Sequence, residues 1–305
     1  MDHELAIIGS GAAGMSAAIY AVRTGIDVLH LDAGMGGGVV TTCPSIENYL
    51  GFAEIAGAEL VEKFREHAAR YAELHQGEPA GSIDKTDEGF LIKTHKDEYR
   101  VKAVILATGC QHRHLGVPGE GRLMGCGVSY CATCDGFFFR EKKVIVVGGG
   151  NTAAIEALYL KGIGVDVTLV HRRDVLRAEQ VYQDKLENAG IPIEYSTVIR
   201  EISGDDLVYS VKLENTETGE GSEMEVQGVF IAVGVVPQTD LAISVGVELD
   251  RGGYVKTDRM MRTNVKGFYA AGDVVGGVRQ IITAAAEGAT AALTSTEVLG
   301  KTYPF

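Results

Sequence analysis

The sequence predicts an α/β protein with two doubly wound domains, the second inserted into the first. Three observations predict this fold class. A short apolar run, a glycine-rich turn and an Ala-rich helical stretch succeed one another twice, at Leu5–Arg23 and at Val144–Lys161. Each copy leads into a second apolar strand, Asp27–Leu31 in the first and Val167–Val170 in the second. Strand, glycine turn, helix and strand in that order begin a doubly wound domain. The chain has 305 residues, more than one hydrophobic core usually serves.

Taken in order, Leu5–Ile8 is a strand, Gly9-Ser10-Gly11-Ala12-Ala13-Gly14 the turn and Met15–Arg23 the helix, and the next strand ends at Asp32. Val101–Leu106 reads as a buried strand ending at Ala107-Thr108-Gly109. The second copy runs from Val144–Val147 through Gly148-Gly149-Gly150-Asn151-Thr152-Ala153 to a helix ending at Lys161, then to a strand ending at His171. Leu207–Glu214 and Met224–Val226 flank a polar, Gly-containing turn and read as a hairpin. Val229–Val233 and Phe268–Ala271 are further apolar strands, and Gln280–Leu299 is an Ala-rich helix. The crossings between domains fall near His112–Pro118 and Val236–Ala242. The first domain is therefore expected to comprise residues 1–114 and 242–305, and the second 115–241.

Composition narrows the function. Gly is abundant at 40 residues and Pro scarce at 6, which points to tight turns and close backbone approaches rather than disorder. A net charge of −13 is a poor match for nucleic acid or an anionic membrane, and simple solubility accounts for it. No apolar run reaches the ~18–20 residues that span a bilayer. Met1-Asp2-His3-Glu4 carries no basic leader, so a cytoplasmic protein is expected. Five cysteines in a cytosolic chain of this size do not make a disulfide framework, and Cys-x-x-Cys near βαβ units reads as redox chemistry.

The two glycine turns lead to different chemistry at the end of the second strand. The first opens a helix, and Asp32 stands about 20 residues on, the arrangement that places a pyrophosphate on a helix N-terminus and a ribose on a carboxylate. Asp32 would repel a 2′-phosphate, so this site suits FAD or NAD and disfavours NADPH. A structural turn with a solvated Asp32 is the competing reading. In the second copy Ala153 replaces the third glycine, and the strand ends in His171-Arg172-Arg173-Asp174, with Arg177 shortly after. Three guanidinium groups in the place of one carboxylate suit a 2′-phosphate, because Arg binds phosphate bidentately. This site reads as NADPH-binding, against a solvated basic patch.

Cys131-Ala132-Thr133-Cys134 has the spacing of a reversible disulfide, and Asp135 stands beside it to give or take a proton. Cys126, Cys131 and Cys134 also have the spacing of an iron–sulfur protein, but a cluster or structural zinc needs a fourth ligand and no cysteine comes after Cys134. Cys43, Cys110 and Cys126 read as small apolar fillers, and Phe137-Phe138-Phe139 as core that in part lines the disulfide.

With these segments in place the chain resembles the low-molecular-weight thioredoxin reductases over nearly its whole length. The segments that carry the resemblance are the first glycine turn, Glu47-Asn48-Tyr49 with Gly51-Phe52, Ala107-Thr108-Gly109, and Ser129-Tyr130-Cys131-Ala132-Thr133-Cys134-Asp135-Gly136. Gly148–Ala153, His171-Arg172-Arg173-Asp174 with Arg177-Ala178, Ala271-Gly272-Asp273 and Arg279-Gln280 complete it. The resemblance implies two Rossmann-like domains, with FAD in the first site and NADPH in the inserted one. It implies that Asp273 binds the ribitol chain and that Asn48, Thr108, Arg279 and Gln280 surround the flavin. It also implies that Cys134 faces the flavin, that Cys131 attacks the substrate disulfide with Asp135 as proton donor, and that the enzyme is a homodimer. Val39 stands where the family often has Gln, and Ala286 and Ala289 replace a Gly and a small residue.

The expected reaction is thus reduction of oxidised thioredoxin, or a thioredoxin-like protein, by NADPH. Three other readings stay open: the same chemistry with a glutaredoxin-like acceptor or a reduced deazaflavin donor, a redox-sensing flavoprotein without turnover, and a small-molecule dithiol oxidase. The arginine set favours NADPH over the donors and oxidants these would use.

Overall fold

The structure, a computed structural model, describes residues 1–43 and 46–302. The described residues divide into two compact units, one of residues 1–41, 49–111 and 236–302, the other of residues 42–43, 46–48 and 112–235.

The first unit is built on a seven-stranded sheet. His3–Ile8 lies between Val28–Leu31 and Glu98–Leu106, parallel to both, and Leu74–His75 extends the sheet beyond Val28–Leu31. The long strand Glu98–Leu106 has two partners on its other side. Its polar first half pairs antiparallel with Gly89–Lys93, which pairs in turn with Ser82–Thr86, and its apolar second half pairs parallel with Phe268–Ala270. Side chains alternate across a strand, so Ala6 and Ile8 enter one apolar cluster while Leu5 and Ile7 enter another. Both faces are covered, which is why these parallel strands read as unbroken apolar runs. The helices Ala12–Arg23 and Ile281–Leu299 pack against each other through Ala17, Ala18, Ala21, Ala291 and Ala292 on the second face. An added Cβ on Gly288 would stand 2.0 Å from the Ala13 carbonyl oxygen, so the two backbones meet where no larger residue fits.

The second unit repeats the pattern on a five-stranded parallel sheet, in the order Ile193–Glu194, Asp166–Val170, Lys143–Gly148, Gly228–Ala232, Val128–Ser129. The helix Asn151–Gly162 comes directly after its glycine turn. The predicted hairpin forms between Val208–Asn215 and Gly221–Glu225, and a third strand, Thr197–Gly204, adds to it. Where the chain passes between the units, Cys110–His112 pairs with Val235–Pro237. Among the described residues no helix is long and apolar enough to cross a membrane.

Candidate active site

In the first unit the chain leaves its central strand at Gly9, with φ of +104°. A Cβ there would lie 2.3 Å from the Ala107 carbonyl oxygen, and one on Gly14 would lie 1.8 Å from the Gly9 carbonyl oxygen. Gly11 is different: nothing stands within 4 Å of an added Cβ. Gly11 is the N-cap of its helix and supplies no side-chain cap, so the N–H groups of Ala12, Ala13 and Gly14 have no intrahelical partners beside that open space. The Ser10 hydroxyl is fully buried and has no hydrogen-bond partner among the described residues. Asp32 is held beside the turn, its carboxylate accepting the N–H of Ser10 and that of Gly34, each at 2.7 Å. His30, 1% exposed, donates from Nε2 to the Gly9 carbonyl oxygen at 3.1 Å. Burial holds it below the ordinary histidine range and so keeps it neutral. An open cradle of N–H donors, an orphaned hydroxyl and a fixed carboxylate fit the pyrophosphate and ribose of a dinucleotide.

Other segments of the same unit are tied together by their own bonds. Thr108 Oγ1 donates to the Gln238 carbonyl at 2.7 Å, and the Gln238 N–H donates to the Gly109 carbonyl at 3.0 Å. The Cys110 thiol donates to the Asp273 carbonyl at 3.1 Å. Glu287 accepts the Gly272 N–H at 2.8 Å, fixing the turn that carries Asp273. Burial raises the Asp273 carboxyl, and the Arg279 charge opposes that rise. Arg279 has φ of +49° and approaches the Tyr254 hydroxyl at 3.4 Å. Gln280 is the N-cap of Ile281–Leu299. Asn48, by contrast, belongs to the segment that groups with the second unit.

The second glycine turn uses the same devices. Gly150 caps the helix Asn151–Gly162 without a side-chain bond, and nothing stands within 4 Å of a Cβ added to it. Ala153 is buried beneath the turn, where a Cβ on Gly148 would come within 2.6 Å of it, while Thr152 stays exposed. His171 does not lie open with the arginines. It is 5% exposed, donates from Nε2 to the Val175 carbonyl at 3.0 Å, and its ring would be 2.1 Å from a Cβ on Gly149. The Gly149 carbonyl accepts the N–H groups of Arg177 at 2.6 Å and Ala178 at 3.0 Å. Asn151 and Glu179 exchange two bonds of 2.8 Å. The loop is thus clamped to the turn through its backbone and His171. Arg172, Arg173 and Arg177 stay exposed, and none enters a salt bridge among the described residues. Free N–H groups and uncommitted cations fit a dinucleotide with an additional phosphate.

The same unit holds the redox segment. Cys131 and Cys134 form a disulfide, with Cα atoms 5.3 Å apart. Cys131 begins a single helical turn, Ala132–Asp135, and its carbonyl accepts the N–H groups of Cys134 at 3.2 Å and Asp135 at 3.1 Å. Both cysteines are partly exposed, whereas Asp135 is 8% exposed. Burial raises the Asp135 carboxyl, and a bond from Ser129 opposes the rise. Tyr130 is held by Glu120, which accepts its hydroxyl at 2.6 Å and the N–H groups of Leu115 and Gly116 at 2.9 and 2.7 Å. The His112 ring stacks on Tyr130 at 4.7 Å, and His114 Nδ1 lies 2.7 Å from the tyrosine hydroxyl. Phe137 and Phe138 are exposed, and Phe139 packs edge-on against Phe230. Among the described residues no group of three or more His, Cys, Asp or Glu side chains could hold a metal ion.

Two nucleotide-type turns with a disulfide point to one kind of enzyme, and the comparison with known proteins decides it. The model of the pyridine nucleotide-disulphide oxidoreductases matches residues 3–288. The chain belongs to this family. The thioredoxin reductase of Treponema pallidum is 42% identical over 294 residues, 95% of each chain. That of Listeria innocua is 43% identical over 95% of this chain and 91% of its own. The crystal structure of thioredoxin reductase from Streptococcus pyogenes superposes with a TM-score of 0.91, at 39% identity and 98% coverage of both chains. A pyridine nucleotide-disulphide oxidoreductase is a flavoprotein that moves electrons between a nicotinamide nucleotide and a disulfide. Three partners that shape its parts here, the buried His30 and Glu120 and the half-buried Glu287, carry no motif of their own. The one signal in the sequence is a polar residue set in an apolar strand, as with His30 in Val28–Leu31.

Proposed function

We propose that the protein is an NADPH-dependent thioredoxin reductase, with FAD in the first glycine-turn site and NADPH in the second. The observation that carries this reading is the Cys131–Cys134 disulfide beside buried Asp135, in the same unit as a glycine turn flanked by three exposed arginines. In the first site Gly9, Gly11, Ala12, Ala13 and Gly14 would hold the pyrophosphate and Asp32 a ribose, with Thr108, Gly109, Gly272, Asp273, Arg279 and Gln280 toward the flavin end. In the second, Gly148, Gly150, Asn151, Thr152 and Ala153 would hold the pyrophosphate, and Arg172, Arg173 and Arg177 the 2′-phosphate. His171 acts there through Gly149, which it buttresses. Bound NADPH supplies a hydride, and bound FAD relays its two electrons to the Cys131–Cys134 disulfide.

The chain's own residues carry the rest. The Cys131 thiolate attacks one sulfur of the substrate disulfide, breaking that bond and forming a mixed disulfide. Cys134 then attacks the Cys131 sulfur, which remakes the Cys131–Cys134 bond and releases the second substrate thiolate. Each released thiolate takes one proton, and Asp135, raised by burial, is placed to give one. In sum, NADPH, a proton and the substrate disulfide give NADP and a dithiol. The similarity to thioredoxin reductases supports thioredoxin as the acceptor, and we place the enzyme in the cytoplasm as a homodimer. Anaerobic mixing tests the whole reading: NADPH should bleach the flavin far faster than NADH, and one purified thioredoxin after another should be tried as oxidant. Failure of every thioredoxin to reoxidise the NADPH-reduced enzyme would remove the acceptor.

A further inference from the structure

We propose that Ser129 is a positioning residue that holds the Asp135 carboxyl in both of its protonation states. The inference rests on the redox role proposed above for the Cys131–Cys134 segment. Ser129 ends the strand Val128–Ser129 and Asp135 ends the helical turn just after it, so the two close a loop around the disulfide. Ser129 is 4% exposed. Its hydroxyl donates to Asp135 Oδ2 at 2.6 Å and accepts the Cys131 N–H at 3.1 Å. The Cys131 carbonyl, 3.4 Å from the same oxygen, offers the hydroxyl proton a second acceptor.

Among the described residues Ser129 is the one side chain that bonds the Asp135 carboxyl. Its other carboxyl oxygen, Oδ1, is buried with no hydrogen-bond partner among the described residues. Burial raises the carboxyl and the Ser129 bond lowers it. Among the described residues the Cys43 side chain is coupled to this site. Burial pushes its thiol up to about 11, and the Asp135 charge adds to that, so it stays protonated and neutral near pH 7. The partner oxygen can serve either state of the acid. To the ionised carboxylate Ser129 donates its proton. To the protonated acid it becomes an acceptor, turning its own proton to the Cys131 carbonyl. A lone hydroxyl does this because it is donor and acceptor at once, which no backbone N–H can be. The Cys131 N–H keeps the serine oxygen in place through the change.

The test is a titration of Asp135 in the FAD-loaded, oxidised enzyme by infrared difference spectroscopy, its carbonyl band assigned by loss in Asp135→Asn. Ser129→Ala should raise the midpoint by about one pH unit, because the bond lost from the charged carboxylate is stronger than the bond lost from the neutral acid, and it should shift the band position as well. Ser129→Thr, which keeps the hydroxyl, should return it toward the wild-type value. Ser129→Gly makes the same deletion if the alanine variant does not fold. An unchanged midpoint and band position in the hydroxyl-free variant would overturn the assignment. No substrate is present, so this outcome is distinct from failure of the thioredoxin reading, which wild-type turnover with thioredoxin reports separately.

Discussion

Replacing Arg172 and Arg173 together by Ala should convert a strong preference for NADPH into a weak one. The loop that carries them is held by backbone bonds, from Arg177 and Ala178 to Gly149 and from Ser196 to the Arg173 carbonyl. Neither guanidinium enters a salt bridge among the described residues, so truncation removes no protein contact of that kind. A hydrogen bond to a charged group contributes about 1.5–3 kcal/mol, and exposure with salt screening places these two at the lower end. Two such losses amount to about 3 kcal/mol, or roughly a hundredfold in kcat/KM for NADPH. NADH has no 2′-phosphate, and its kcat/KM should move by no more than about threefold, the surface-substitution range of about 0.5 kcal/mol. Anaerobic stopped-flow reduction of the flavin with each coenzyme separates the two. A parallel fall with both coenzymes would refute the 2′-phosphate assignment.

Cys131→Ser and Cys134→Ser should each abolish thioredoxin reduction while flavin bleaching by NADPH survives; full turnover by either variant would remove the exchange roles. Gly149→Ala should destabilise the protein by about 1–3 kcal/mol, because its Cβ would meet the buried His171 ring 2.1 Å away. Gly150→Ala should leave the melting temperature unchanged, since its Cβ meets nothing within 4 Å, yet weaken NADPH binding in equilibrium dialysis. An unchanged affinity there would move the pyrophosphate off this turn. Glu78 is 2% exposed. Burial alone would raise its carboxyl, but bonds from Thr94, Tyr99, His75 and Lys96 outweigh it and hold the value at about 2, against an ordinary 4.5. Its stabilisation is therefore full above about 4.5 and is lost as pH falls towards about 2. Glu78→Gln should be less stable than wild type in urea at pH 7, with the gap narrowing on acidification; a gap independent of pH would disprove the linkage.

Legibility in the sequence depends on the range of the interactions involved. The glycine turns are legible because their requirements are local: a backbone turn, a helix start and a strand end within about 30 residues. Their apolar strands are legible because both sheet faces are covered. The strand Glu98–Leu106 is read only from Val101, since its first residues pair with an outer antiparallel strand and keep one side toward solvent. Thr197–Gly204 is missed for another reason. Its register shifts at Ile199/Glu201 and Ser203/Gly204, and those breaks destroy the period-two alternation that marks a strand. His171 stands in line with Arg172 and Arg173, yet the fold turns its ring inward onto Gly149. The bonds of Ser129 to Asp135 and of Glu120 to Tyr130 join residues whose meeting depends on a whole loop closing, and spacing alone does not announce them.

The two nucleotide-type sites share a turn and differ in how the charge beside it is held. Asp32 is fixed by two backbone N–H groups at 2.7 Å, so its carboxylate is preorganised where a ribose would bind and cannot swing away from an intruding phosphate. Arg172, Arg173 and Arg177 are the reverse case, long cations on a rigid loop with no competing salt bridge among the described residues. A preorganised acceptor suits a ligand that stays bound, because little ordering remains to oppose binding. Flexible cations suit one that exchanges every turnover, because their ordering on binding moderates affinity. Under the proposed assignment the first description fits the resident FAD and the second the transient NADPH. Transplanting a carboxylate to the second site, as in Arg172→Asp, should then do more than Arg172→Ala, since it adds repulsion of the 2′-phosphate to the lost contact.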